Sequence, residues 1–147
     1  MCFSRKPKTS QGCKIDRRKI PGLPPDAVHD QALKILVDKF AEKLKLEDIK
    51  ATISKITVEW WNDIAPSPST GKLNTVVSHS GQVYSGLVVG LTCKVAWRGK
   101  IYRSAFTHEI AHVIGGKLLD DWDADHDNSL LWDTVKAINE ELRKEDI

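Results

Sequence analysis

The segment Ser104 to Gly116, SAFTHEIAHVIGG, constrains this 147-residue chain more than any other. Phe106, Ile110, Ala111, Val113 and Ile114 give it an apolar face. That face predicts a buried helix from near Ser104 to Gly115-Gly116, with the two glycines as its C-cap. His108 and His112 stand four residues apart on its polar edge, so their imidazoles project one turn apart on one face, close enough to share a metal ion. Glu109 leans toward the same cleft, where its carboxylate can hold a water beside the metal. A buried helix with two imidazoles on its polar edge is what a zinc site in a water-poor groove requires.

Catalytic zinc takes a third protein ligand and leaves its fourth position open. The metzincin pattern HExxHxxGxxH keeps its glycine at Gly115 but meets Leu118 where the third His would stand, which excludes that subgroup in its strict form. His126, in DDWDADHDNSLLW, is one candidate for the third ligand. Glu140, in AINEEL, resembles the Asn-Glu start of the gluzincin third-ligand helix and stays open as an alternative, as does an Asp of 120–127. Asp121, Asp123, Asp125 and Asp127 alternate as in a calcium loop. The sixth position is however His126 rather than Gly, and the twelfth Trp132 rather than Glu. Asp125 or Asp127 is expected instead to accept the far N–H of a ligating imidazole.

The rest of the chain predicts an α+β fold of one domain. Asp26, after Pro25, is expected to cap a first helix that turns Ala32, Ile35, Leu36, Phe40 and Leu44 to the core. Ile53 to Trp61 alternates as a strand, and Asp63 to Asn74 is a Pro/Ser/Gly loop. Two or three strands are expected in Val76 to Trp97, then a turn at Arg98-Gly99-Lys100 and a short strand Ile101 to Arg103. Asn128 or Ser129 should cap a final helix reaching about Lys144. His29 is expected to be solvated and His79 to be a turn residue. Trp61 or Trp97 is an open choice for the cleft wall.

Charge divides the chain. Residues 1–21 hold seven Lys/Arg against one Asp, whereas five Asp crowd between 120 and 127. Residues 1–25, Pro-punctuated and basic, are expected to be a flexible arm that could touch nucleic acid, with 26–147 as the folded domain. No secretory signal or membrane span is legible, and three cysteines without scaffold spacing suggest a reducing, cytoplasmic setting.

His108, Glu109 and His112, followed by His126 and then Leu130, Leu131 and Trp132, resemble the SprT-like and WLM-like minimal zincins. The resemblance runs from Ala105 to about Leu142. It implies a zincin-like α+β fold: an N-terminal helix, a small mostly antiparallel sheet, the HExxH helix and a C-terminal helix. It also implies a zinc-dependent endopeptidase, with Zn²⁺ on His108, His112 and His126 and Glu109 as general base. A peptide substrate would pair with an edge strand drawn from Gly86 to Trp97. Tyr84, Tyr102 and His79 are unranked choices for the oxyanion. Two other readings stay open: a zinc-binding assembly protein without activity, and a nucleic-acid-associated protein using its basic arm. A monomer is expected.

Overall fold

The computed structural model describes residues 9–62, 75–77 and 81–147. The expected loop Asp63–Asn74, His79 and residues 1–8 of the expected arm lie outside them. In chain order the elements are β1 (Lys14–Asp16), α1 (Asp26–Leu44), α2 (Ile49–Ile53), β2 (Thr57–Trp61), β3 (Val76–Val77), β4 (Val83–Tyr84), β5 (Gly86–Val89) and β6 (Thr92–Ala96). A 3-10 turn at Ile101–Arg103, α3 (Phe106–Leu118) and α4 (Ser129–Lys144) follow. The fold is mixed α/β, with a small sheet ordered β1-β2-β6-β5 and a separate β3–β4 pair.

The main sheet is not the mostly antiparallel one expected. β1 runs parallel to β2 and β2 parallel to β6, while β5–β6 is antiparallel. α1 and α2 carry the chain from the end of β1 back to the start of β2, the crossover that a parallel pair requires. β5 and β6, by contrast, form a hairpin across Gly90, whose φ of +61° suits glycine. Alternation along a strand reports which side is buried but not the direction of its neighbour. Here Val58 and Trp60 of β2 face inward in register with Cys93 and Val95 of β6.

The expected arm is corrected over residues 9–25. Cys13 and Ile15 are fully buried, and β1 adds an edge strand to the sheet. In a three-residue strand only Ile15 faces the core, so the basic neighbours mask the signal. Burial also pushes the Cys13 thiol up to about 12. It and Cys93 are free and unreactive in character.

Trp60 anchors the core. It stacks on Phe106 of α3, with ring centroids 5.6 Å apart, and meets Trp97 edge-on at 5.2 Å. Its indole Nε1 donates to His29 Nε2 at 2.9 Å, and His29 Nδ1 donates to the Pro25 carbonyl at 3.2 Å. His29 is therefore fully buried, not solvated. Burial holds its pKa below the ordinary imidazole value, which keeps Nε2 free to accept from Trp60.

Element ends differ in detail from expectation. Asn128 does cap α4, its side chain accepting from Leu131 N–H at 3.1 Å. Pro25, not Asp26, occupies the N-cap of α1, and the Asp26 carboxylate pairs with Arg17 at 2.7 Å. Ile101–Arg103 is a 3-10 turn rather than a strand, with Ile101 N–H donating to the Ile147 carbonyl at 2.8 Å. Among the described residues no helix is long and apolar enough to cross a membrane.

Candidate metal centre

α3 presents His108 and His112 on one edge, as their spacing requires, and His126 arrives from the loop between α3 and α4. His108 Nε2 lies 3.2 Å from His112 Nε2 and 3.1 Å from His126 Nε2. Two imidazole nitrogens bound to one tetrahedral zinc would sit roughly 3.3 Å apart. The His112 Nδ1 contact, 2.6 Å from the Trp122 carbonyl, fixes the proton on Nδ1 because a carbonyl only accepts. In the neutral ring this tautomer leaves the lone pair on His112 Nε2, the nitrogen 3.2 Å from His108 Nε2. Burial first, and then the neighbouring His112 and His126, push the His108 pKa down to about 4. Three ligand nitrogens drawn together this closely, with no carboxylate among them, form a group that could hold a metal ion.

The loop that delivers His126 is built on two glycines. α3 does not end at Gly115-Gly116 but runs through them to Leu118, because the returning loop lies directly on the helix. A Cβ at Gly115 would stand 2.5 Å from the Asp121 carbonyl oxygen, and one at Gly116 would stand 2.2 Å from the Trp122 indole. The glycines serve close approach rather than capping. Asp123 then organises the turn. Its Oδ1 accepts from Asp127 N–H at 2.9 Å, and its Oδ2 accepts from Asn128 N–H at 2.8 Å and Trp132 Nε1–H at 2.6 Å. Burial raises the Asp123 carboxyl pKa, but these donors outweigh it and leave the group below its ordinary value. The Asp123 carbonyl accepts from His126 N–H at 2.9 Å, and His126 takes a φ of +58°. Trp132 completes the support: its ring lies 4.6, 4.9 and 4.8 Å from the rings of His108, His112 and His126.

Glu109 is 5% exposed, and its Oε2 has no hydrogen-bond partner among the described residues. Burial pushes its pKa up to about 7. It sits directly beneath β5, where a Cβ on Gly86 would come within 2.7 Å of Glu109 Cγ. Gly86 therefore lets the carboxylate reach the cleft under the sheet edge. That cleft, about 560 Å³, is bounded by Tyr84, Leu87 and Val88 on one side and Glu109, His112 and His126 on the other.

Of the alternatives for the third ligand, Glu140 is exposed and pairs with Arg143, away from the three imidazoles. Asp125 and Asp127 are exposed, and the acceptor for an imidazole N–H is the Trp122 carbonyl instead. Trp97 is a core residue and Trp61 lies under the Arg18 guanidinium, 3.6 Å from ring centroid to Cζ. Trp122, rather than either of them, lines the cleft. Tyr84 lines the cleft, its hydroxyl donating to Gln82 Oε1, whereas Tyr102 lines neither end of it and its hydroxyl accepts from Arg103 Nε at 3.1 Å. Sequence reasoning missed Gly86 and Trp122, and named Asp123 only within the acidic run rather than as the acceptor that organises the turn. The adjacent glycines followed by an aromatic residue were the one available signal for Trp122. Comparison with protein-family models, curated proteins and solved structures finds no match.

Proposed function

We propose that the protein is a zinc-dependent endopeptidase. The observation that carries this reading is the conjunction of His108, His112 and His126 with a buried carboxylate, Glu109, whose Oε2 has no partner among the described residues, in one cleft beside a sheet edge. A purely structural metal site has no use for that carboxylate. The nitrogen-only donor set suits zinc, and the order HExxH, His, Trp supports the likeness to SprT-like and WLM-like zincins.

His108, His112 and His126 would hold the ion, whose charge acidifies a water and polarises a carbonyl when it is bound. Glu109 takes a proton from the attacking water on its carboxylate and returns it to the amine nitrogen as the peptide C–N bond breaks. Its desolvated site makes it a stronger base than an exposed glutamate, and Gly86 holds open the space above it. The outer edge of β5 carries no strand partner among the described residues, so its backbone can take an extended peptide as an added strand. Tyr84, on the cleft wall, is the described residue for the oxyanion once its hydroxyl turns from Gln82 Oε1.

The test is cleavage of an unfolded protein such as casein by the zinc-loaded chain. Wild type should cleave, and Glu109→Gln should lose about 10²–10⁴-fold in rate while retaining zinc. Equal rates in the two proteins would overturn the mechanism. Zinc retention without cleavage by wild type would favour a non-hydrolytic role.

A further inference from the structure

The cleft continues past Glu109 into a second compartment, and the two ends differ in chemistry. On the His112 and His126 side the walls are Leu87, Val88, Trp122 and Ala124. On the His108 side they are Ser85, Ser104, Arg98 and Arg103. Gly86 and Glu109 belong to both, so the proposed hydrolytic group sits where the walls change from apolar to cationic.

The two arginines have donors to spare. Arg98 Nη2 donates to Ser85 Oγ at 3.1 Å, but its Nε is buried with no partner among the described residues. Arg103 is exposed and donates from Nε to the Tyr102 hydroxyl. Among the described residues neither forms an ion pair, and both line the same end of the groove. Each guanidinium offers five N–H donors in a fork that fits a carboxylate, and an unpaired one in a half-enclosed groove is a ready-made anion subsite.

We infer that this groove selects peptides carrying a carboxylate on the Arg98–Arg103 side of the scissile bond and a bulky apolar residue on the Leu87–Trp122 side. This inference rests on the peptidase reading for cleavage between the two ends, whereas the binding preference needs no turnover. A peptide extended along β5 meets Ser85 and Gly86 at one end of the strand and Leu87 to Gly90 at the other. The polarity of the groove therefore becomes a polarity of sequence. The carboxylate comes from an Asp or Glu side chain or from a chain terminus, and the two sources share the same recognition.

Binding of fluorescent peptides to zinc-loaded Glu109→Gln protein, read by anisotropy, tests the subsite without turnover. Each peptide holds a central Leu with Glu, Gln or Lys placed on one side or the other. Terminally amidated and free-acid forms separate side-chain from C-terminal carboxylates. Glu on one side only should tighten binding about tenfold over Gln, the order expected of one charge-assisted hydrogen bond, and Lys should weaken it. Adding Arg98→Gln or Arg103→Gln should erase the Glu preference while leaving the Gln peptide unchanged, and Arg103→Glu should favour Lys. If only the free-acid forms gain, the subsite reads a chain end. Equal binding of Glu and Gln peptides in all positions would overturn the inference. Tight Arg98-dependent binding without hydrolysis by wild type would support the subsite and count against the peptidase reading.

Discussion

Gly116→Ala separates the stability of α3 from the assembly of the three-histidine group. Helix propensity alone favours alanine by ~1 kcal/mol at an interior position. The new Cβ, however, would lie 2.2, 2.3 and 2.6 Å from three carbons of the Trp122 indole. Ordinary carbon contacts begin near ~3.5 Å, so the ring must retreat by roughly 1 Å or more. Holding the loop in place against that overlap costs about 1–3 kcal/mol. Trp122 is 42% exposed, so swinging outward is the easier response. The net change in folding stability should then stay within about 1 kcal/mol, a shift of no more than ~4 °C in Tm for a chain of this size. Metal binding should respond differently. Outward movement of Trp122 stretches the 2.6 Å bond from His112 Nδ1 to its carbonyl and displaces the turn that carries His126. Loss of such support for a ligand weakens metal binding by about 10–100-fold. Competition against a chromophoric chelator measures that affinity, and urea denaturation of metal-free protein measures the stability. Wild-type zinc affinity in a normally folded Gly116→Ala protein would refute the claim that the glycine pair exists to seat the loop.

Three further outcomes follow from the packing and the carboxylate network. Ile15→Ala should cost about 2–4 kcal/mol in urea denaturation, as for a fully buried side chain; a change under ~0.5 kcal/mol would restore the reading of residues 9–25 as a solvated arm. His29 has its pKa lowered on folding, so the unfolded chain binds the proton more readily. Stability should be complete above the unfolded value of about 6.5 and fall as pH drops below it, by up to ~1.4 kcal/mol per pH unit. His29→Gln, which keeps an acceptor for Trp60 without titrating, should flatten that part of the pH profile of metal-free protein, and an unchanged slope would contradict the assignment. Asp123→Asn keeps the side-chain shape but loses one acceptor position, so zinc affinity should fall about tenfold through the loop; unaltered affinity would show that the carboxylate does not hold His126 in place.

The parts of the site legible in the sequence were those set by local periodicity. His108 and His112 share a face because four residues make about one helical turn, and Asn128 caps because its side chain reaches the N–H three residues on. His126 was legible only through its place in a pattern, since nothing local shows that a loop will fold back on α3. Gly115 and Gly116 pointed to a helix end when read locally, but their neighbours across space, Asp121 and Trp122, decide their role. The same applies to His29, whose polar helical neighbours concealed an indole partner thirty-one residues away. Strand direction was hidden for a different reason: Ile15, Val58 and Cys93 read alike whether their strands run parallel or antiparallel.

Every catalytic step proposed for this chain requires three imidazoles on one metal ion. Native mass spectrometry after zinc loading and removal of excess metal measures this directly. One zinc per chain is expected for wild type, Glu109→Gln and Glu140→Ala, with occupancy lost in His108→Ala, His112→Ala and His126→Ala. Metal-free wild type, or full zinc occupancy in His126→Ala, would contradict the three-histidine centre.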